Sequence, residues 1–75
     1  MDKVMEILKR MRPDVDFEKE KALVTDGVLD SFDVISLVSE LNDEFDIEIA
    51  SGDMLPANFN SAEAIYAMVK RLEDD

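Results

Sequence analysis

Three segments of the chain repeat apolar residues with the spacing of an α-helix, and this periodicity constrains the fold more than any other feature. The three apolar stripes are Val4, Ile7, Leu8 and Met11; Val34, Ile35, Val38, Leu41 and Phe45; and Ile65, Met68, Val69 and Leu72. Each stripe has to be buried against another helix. The sequence therefore predicts an all-α fold, a small bundle of three to four helices.

Helix boundaries follow from local signals. The first predicted helix ends at Arg12, because Pro13 disfavours helical backbone in the residue before it. The second runs from about residue 30 to residue 45, and the third from about residue 60 to residue 72. Residues 13–29 then form a long first loop, which its own apolar residues have to hold in place.

Shorter elements are expected in the connections. Residues 18–23 have the length for one helical turn, and residues 51–55 for another before Pro56, which supplies the fourth short helix. Ile47 and Ile49 alternate with acidic residues, and this alternation indicates a short extended stretch.

Two helix starts carry capping signals. Asn60 is followed three residues later by Glu63, as in a capping box, and Ser61 is an alternative cap. Asp30 and Asp33 have the same spacing at the second helix. A carboxylate at Asp30 accepts hydrogen bonds from the free N–H groups of the first turn, and Asp33 lies favourably in the helix dipole.

Size and composition limit the function. The 75 residues make one domain, residues 1–75, too small for two domains with a cleft between them. The chain has no cysteine and no histidine, so it lacks the thiolate nucleophile, the commonest general base and the commonest metal ligand. No signal peptide and no membrane-spanning run is visible. We expect a cytoplasmic protein that is not an enzyme.

The charge is unevenly distributed. Nineteen acidic and eight basic residues give a net charge of −11. Residues 1–24 are neutral overall, whereas residues 25–69 contain ten acids and no lysine or arginine. Such a field repels nucleic acid and anionic lipid and attracts partners with basic patches.

An EF-hand is the first alternative that this acidity suggests, and the pattern excludes it. A calcium loop starting at Asp14 has Lys19 where glycine is required, and one starting at Asp26 has Val28 at a ligand position. No metal site is predicted.

The chemistry is predicted to centre on Ser31. If Asp30 caps the second helix, Ser31 occupies the first helical position and its hydroxyl is not used for capping. A free hydroxyl at the positive end of a helix suits a phosphate ester. It does not suit a hydrolytic nucleophile, since no histidine is present and no lysine lies between Lys21 and Lys70.

The run Asp-Gly-Val-Leu-Asp-Ser-Phe-Asp-Val-Ile-Ser-Leu-Val at residues 26–38 resembles the acyl carrier protein family. Its Gly-x-x-Asp-Ser spelling is most similar to free-standing carriers of the D-alanyl carrier and related types. The resemblance extends to the length, the helix order, the long first loop and the acidic segment at residues 43–49.

The resemblance implies a specific role. A phosphopantetheinyl transferase would place a 4′-phosphopantetheine arm from coenzyme A on Ser31. An adenylating enzyme would load an acyl or aminoacyl group onto the arm as a thioester. Downstream acyl-transfer or synthase enzymes with basic docking patches would receive the cargo from a monomeric carrier.

Six residues are the candidates for partner recognition, namely Asp30, Phe32, Asp33, Glu40, Asp43 and Glu44. The acids can equally form a solvated face, and Phe32 can equally pack on the long loop. The cargo stays open between fatty acyl, D-alanyl, another aminoacyl and polyketide groups. Ser36 and Ser39 differ from the pattern of many fatty-acid carriers, which favours a specialised pathway.

A second reading of the whole chain is an acidic helical adaptor or inhibitor that binds a basic protein without being modified. Charge and fold fit both readings equally well. They differ at Ser31, because an adaptor needs no free hydroxyl there.

Overall fold

Four α-helices form in a computed structural model that describes residues 2–74. The helices are α1, Asp2–Met11; α2, Ser31–Phe45; α3, Pro56–Phe59; and α4, Ala62–Glu73. A 3₁₀ turn, Ser51–Asp53, precedes α3, and the described residues contain no strand. The two ends of the predicted domain, residues 1 and 75, lie outside the described part, as does the side chain of residue 2. The predicted all-α bundle with a long first loop is confirmed.

One apolar core joins the helices and the loop. It consists of fourteen buried residues, namely Val4, Ile7, Leu8, Phe17, Leu23, Leu29, Leu37, Leu41, Ile49, Phe59, Ala62, Ile65, Met68 and Val69. The predicted stripes of α1 and α4 supply most of the helical part of this core. Helix α1 packs against both α2 and α4, and α3 packs against α4.

The buried face of α2 differs from the predicted stripe. Leu37 and Leu41 are fully buried, four residues apart, with Val34 and Val38 partly buried beside them. Ile35 was expected in the stripe, but 61% of its surface is exposed. Ile35 precedes Leu37 by two residues, which at about 100° per residue is about 200° of helical rotation, so Ile35 lies away from the face that Leu37 and Leu41 define.

The long loop is held by its own apolar residues, as its composition predicts. Phe17, Leu23 and Leu29 are buried in the core. The predicted helical turn at residues 18–23 is wrong, because the chain instead makes two separate turns, at residues 16–20 and 22–27. In the second of these turns, the Leu23 N–H donates to the Asn60 carbonyl at 2.9 Å, which ties the loop to the start of α4.

The start of α4 corrects the predicted capping box. Ser61 is the cap, and its hydroxyl accepts from the Ala64 N–H at 3.0 Å. The side-chain oxygen of Asn60 instead accepts from the N–H groups of Val24 and Thr25, both at 3.0 Å. Asn60 is therefore taken up by the long loop, which leaves the cap to the alternative residue.

Candidate functional site

The N-terminus of α2 is closed by a capping box. Asp30 lies before the helix in extended backbone, and its Oδ1 accepts from the Asp33 N–H at 2.9 Å. Asp33 Oδ2 accepts from the Asp30 N–H at 3.4 Å. The predicted cap is confirmed, including the reciprocal use of Asp33. Two backbone donors that a helix start leaves free are satisfied in this way.

Ser31 is the first residue of α2 and is exposed. Because Asp30 supplies the cap, the Ser31 hydroxyl is not used for it. Gly27, four residues earlier, takes a left-handed conformation with φ 75°, which residues with a side chain rarely adopt. The turn at Gly27 brings the loop to the helix start.

Arg12 anchors this helix start to the end of α1. Its Nη1 donates to the Val28 carbonyl and to Asp33 Oδ2, both at 3.0 Å. Nε and Nη2 face Asp14 at 3.4 and 3.5 Å. The guanidinium therefore joins α1, the loop before α2 and the first turn of α2.

Asp14 affects the pKa of Arg12 more than it affects where the guanidinium lies. Hydrogen bonding to Asp14 contributes most to raising the pKa of Arg12, with Asp33 adding to it. The same hydrogen bond lowers the pKa of Asp14. Asp14 is exposed and its contacts are the longer ones, so the half-buried contacts with Val28 and Asp33 determine where the guanidinium lies.

An open groove of about 460 Å³ adjoins Ser31. Three segments of the chain supply its lining: the end of the long loop, the first turns of α2, and the stretch leading into α3. The lining residues are Val24, Gly27, Leu29, Asp30, Ser31, Val34, Ile35, Met54, Leu55, Pro56 and Phe59. Asp30 is the one charged residue among them, so the groove offers a mostly apolar surface beside Ser31.

Large apolar side chains are exposed around the same end of α2. Phe32 is 77% exposed and Ile35 is 61% exposed, while Leu55 and Met54 are partly exposed across the groove. Of the two possibilities for Phe32, packing on the long loop is therefore not the one realised. The sequence pattern placed Ile35 in the buried stripe and gave no signal for its exposure, and Leu55 gave no signal because it lies outside any periodic segment.

Most of the acids predicted to face partners are paired within the chain. Glu40 binds Arg10 at 2.6 Å, and Glu44 binds Lys3 at 3.0 Å. Asp33 binds Arg12, as described above. Asp43 is exposed. The bases of α1 and of the residue after it therefore offset three of the four acids on α2.

A fourth pair of this kind joins the loop to α4. Lys21 binds Glu63, and this hydrogen bond is the main reason that the pKa of Glu63 lies below its usual value. Likewise, the hydrogen bond to Glu44 raises the pKa of Lys3. Glu63 is thus engaged by the loop and does not act as the capping-box partner predicted from its spacing to Asn60.

Among the described residues, no group of three or more acidic, histidine or cysteine side chains comes together as a candidate metal site. No helix in that part of the chain has the length and apolar character to cross a membrane.

A protein-family model described as Phosphopantetheine attachment site matches residues 2–69, which is most of the chain. The chain belongs to the phosphopantetheine-attachment-site family. No curated protein and no solved structure matches it. The family match confirms the resemblance to acyl carrier proteins and the predicted cofactor, a covalently attached 4′-phosphopantetheine.

The described residues fit such a group. A phosphopantetheine-attachment domain needs a hydroxyl that a separate enzyme can reach, and Ser31 is exposed next to an apolar groove. Domains of this family are non-catalytic carriers that work with a phosphopantetheinyl transferase and with synthase or acyl-transfer enzymes. The chain is accordingly a phosphopantetheine-carrying protein.

Proposed function

We propose that Ser31 is the attachment residue and that residues 1–75 act as one non-catalytic carrier domain for acyl or aminoacyl groups. The proposal rests on the different roles of two neighbouring residues at the start of α2. Asp30 satisfies the helix, and Ser31, the next residue, is exposed and not needed for the cap. When bound, the arm supplies a terminal thiol that carries cargo as a thioester.

In the modification, Ser31 provides only its hydroxyl group. Its Oγ forms a bond to phosphorus as the phosphoanhydride bond of coenzyme A breaks and adenosine bisphosphate leaves. The proton of the hydroxyl passes to a base on the transferase, since this chain has no histidine. The new phosphate ester then lies at the positive end of the α2 dipole, which favours negative charge.

The groove next to Ser31 also supports the carrier proposal. An arm on Ser31 would lie against the apolar side chains of Val34, Ile35 and Leu55, which line the groove. Burying apolar surface there would hold part of the arm close to the protein between encounters with partners. The chain's own contribution is therefore to tether and shelter the arm.

Partner enzymes are proposed to dock on the exposed N-terminal part of α2. Phe32 and Ile35 offer apolar contact there, and Asp30 adds negative charge beside Ser31. Asp43 extends this acidic surface toward the other end of the helix. Asp33, Glu40 and Glu44 already form ion pairs within the chain. A basic residue of a partner would have to share each of these carboxylates with the base that it binds now. We propose an adenylating enzyme as the loading partner and a monomeric carrier.

The test is transfer from coenzyme A by a broad-specificity phosphopantetheinyl transferase, read by the intact mass of the product. The wild-type protein should gain one phosphopantetheinyl group, and Ser31→Ala should gain none while keeping its helicity. Ser39→Ala is the matched control, because Ser39 is also an exposed serine on α2. Wild-type protein that stays unmodified with several active transferases would favour the unmodified acidic adaptor instead.

A further inference from the structure

Arg12 is connected to Ser31 through two successive contacts. Its Nη1 binds Asp33 Oδ2 at 3.0 Å, and the same carboxylate oxygen accepts from the Asp30 N–H at 3.4 Å. Asp30 in turn accepts from the Asp33 N–H at 2.9 Å. Ser31 lies in the chain between the two residues of this reciprocal cap, since it follows Asp30 directly and precedes Asp33 by two residues.

A second contact fixes the chain on the other side of the cap. Arg12 Nη1 also donates to the Val28 carbonyl at 3.0 Å, two residues before Asp30. The side chains of Arg12 and Asp33 are only 33% and 24% exposed, so water competes for these bonds less than at a fully exposed pair. One guanidinium thus holds the backbone both before and after Ser31.

We infer that Arg12 is a positioning residue for the modification of Ser31. It holds Asp33, Asp33 holds the Asp30 N–H, and the backbone that presents the hydroxyl is thereby ordered before a transferase binds. The inference rests on the proposed function. Orienting a reactive group in advance lowers the entropic cost of reaction, and a small displacement by a remote substitution can cost much of the rate.

The contacts of Arg12 use more than one nitrogen of its guanidinium. The guanidinium faces Asp14 along one edge while Nη1 binds Val28 and Asp33, so its donors are used in several directions. A lysine ammonium is a single point charge on a flexible stem and does not reproduce this arrangement. Arg12→Lys therefore should recover only part of what Arg12→Gln loses.

The experiment measures kcat and KM of a phosphopantetheinyl transferase on the wild-type protein, Arg12→Gln, Arg12→Lys and Arg10→Gln. We expect Arg12→Gln to lower kcat/KM about tenfold and Arg12→Lys to fall between it and wild type. Arg10→Gln is the matched control, because it removes the same charge from α1 and breaks another α1–α2 pair, Arg10–Glu40, away from the cap. It should stay within about twofold of wild type. Equal rates for the Arg12 and Arg10 variants would overturn the inference.

A double-mutant cycle separates positioning from direct contact with the transferase. Asp33→Asn keeps an amide oxygen that can accept from the Asp30 N–H but removes the charge that binds Arg12. If Arg12 acts through Asp33, adding Arg12→Gln to Asp33→Asn costs little further, because coupled residues are not additive. If both losses multiply in full, Arg12 acts by another route and the inference is wrong.

Amide hydrogen exchange in the free protein gives a readout that does not depend on the transferase. Arg12→Gln should lower protection at Asp33 while leaving Leu41, in the buried half of α2, unchanged. Unchanged protection at Asp33 would contradict the inference. Should Arg12→Gln fail to fold at the assay temperature, Arg12→Lys decides by the same two measurements. The kinetic comparisons use the modification of the wild-type protein as their reference, so failure of the proposed function would show separately, as a wild type that is never modified.

Discussion

Acidic residues lie at both ends of α2, where the helix dipole favours them at one end and disfavours them at the other. At the N-terminus, Asp30 and Asp33 form a capping box where the helix dipole favours negative charge. At the C-terminus, Asp43 and Glu44 lie in the last turn, and the described helix has no basic residue there. Asp46 follows as the left-handed cap, so three acids surround the end of the helix that disfavours them.

Backbone and apolar contacts hold the C-terminal end, together with the Lys3–Glu44 ion pair. The Asn42 carbonyl accepts from the Asp46 N–H and, at 3.2 Å, from the Ile47 N–H. The Asn42 side chain accepts from the Ile49 N–H at 2.9 Å, and Ile49 is buried. The comparison shows that the helix dipole favours the acids at the end that presents Ser31, whereas the acids at the other end depend on a pair from α1 and on backbone contacts.

The largest difference between the two ends is expected from removing the cap. Asp30→Ala should lower the free energy of unfolding by about 0.5–2 kcal/mol, because the first turn loses its side-chain acceptor. Asp43→Ala, at the other end, should be neutral or slightly stabilising. Urea unfolding followed by circular dichroism measures both, and Asp30→Asn, which keeps a capping oxygen, is the control. Equal losses at Asp30 and Asp43 would remove the contrast.

A pair of exchanges at the two left-handed residues sharpens the comparison. Asp46→Gly should raise the free energy of unfolding by about 0.5–1 kcal/mol, because glycine adopts φ 53° without the clash of a Cβ. Gly27→Ala should lower it by a similar amount at the other end, where the glycine already relieves the strain. A destabilising Asp46→Gly would mean that the Asp46 side chain makes a contribution of its own.

The smallest expected effect is a pH dependence of stability from the Lys21–Glu63 pair, which lies away from both ends of α2. The pKa of Glu63 is lowered in the folded protein, so the stability it contributes is present above its ordinary pKa and is lost as pH falls through the folded value. Glu63→Gln should therefore lower the melting temperature slightly at neutral pH and leave it unchanged at a pH below the folded pKa. A difference between the two proteins that is the same at both pH values would contradict this account.

Local sequence patterns predicted what is local in this fold. The stripes of α1 and α4 and the cap at Asp30 depend on residues three or four apart, so they could be read directly. The position of Ile35 could not, because the choice between two faces of α2 depends on what packs against them. The same holds for Asn60, whose spacing to Glu63 predicts a cap but whose side chain binds the distant loop.

The long-range parts of the site could not be predicted from the sequence for the same reason. The groove brings together segments around residues 24–29, 31–35 and 54–59, and no local signal links them. The pairing of α1 bases with α2 acids was also hidden, since a charge count along the chain separates residues that the fold brings into contact. Arg12 is the clearest case, because its partners lie 16 and 21 residues away.

Peptide mapping of the modified protein tests the central claim most directly. After transfer from coenzyme A, fragmentation should locate the phosphopantetheinyl group on Ser31 alone among the chain's five serines, at positions 31, 36, 39, 51 and 61. A group found on any other residue would contradict the account, because the exposed hydroxyl beside the Asp30 cap would then not be the tether.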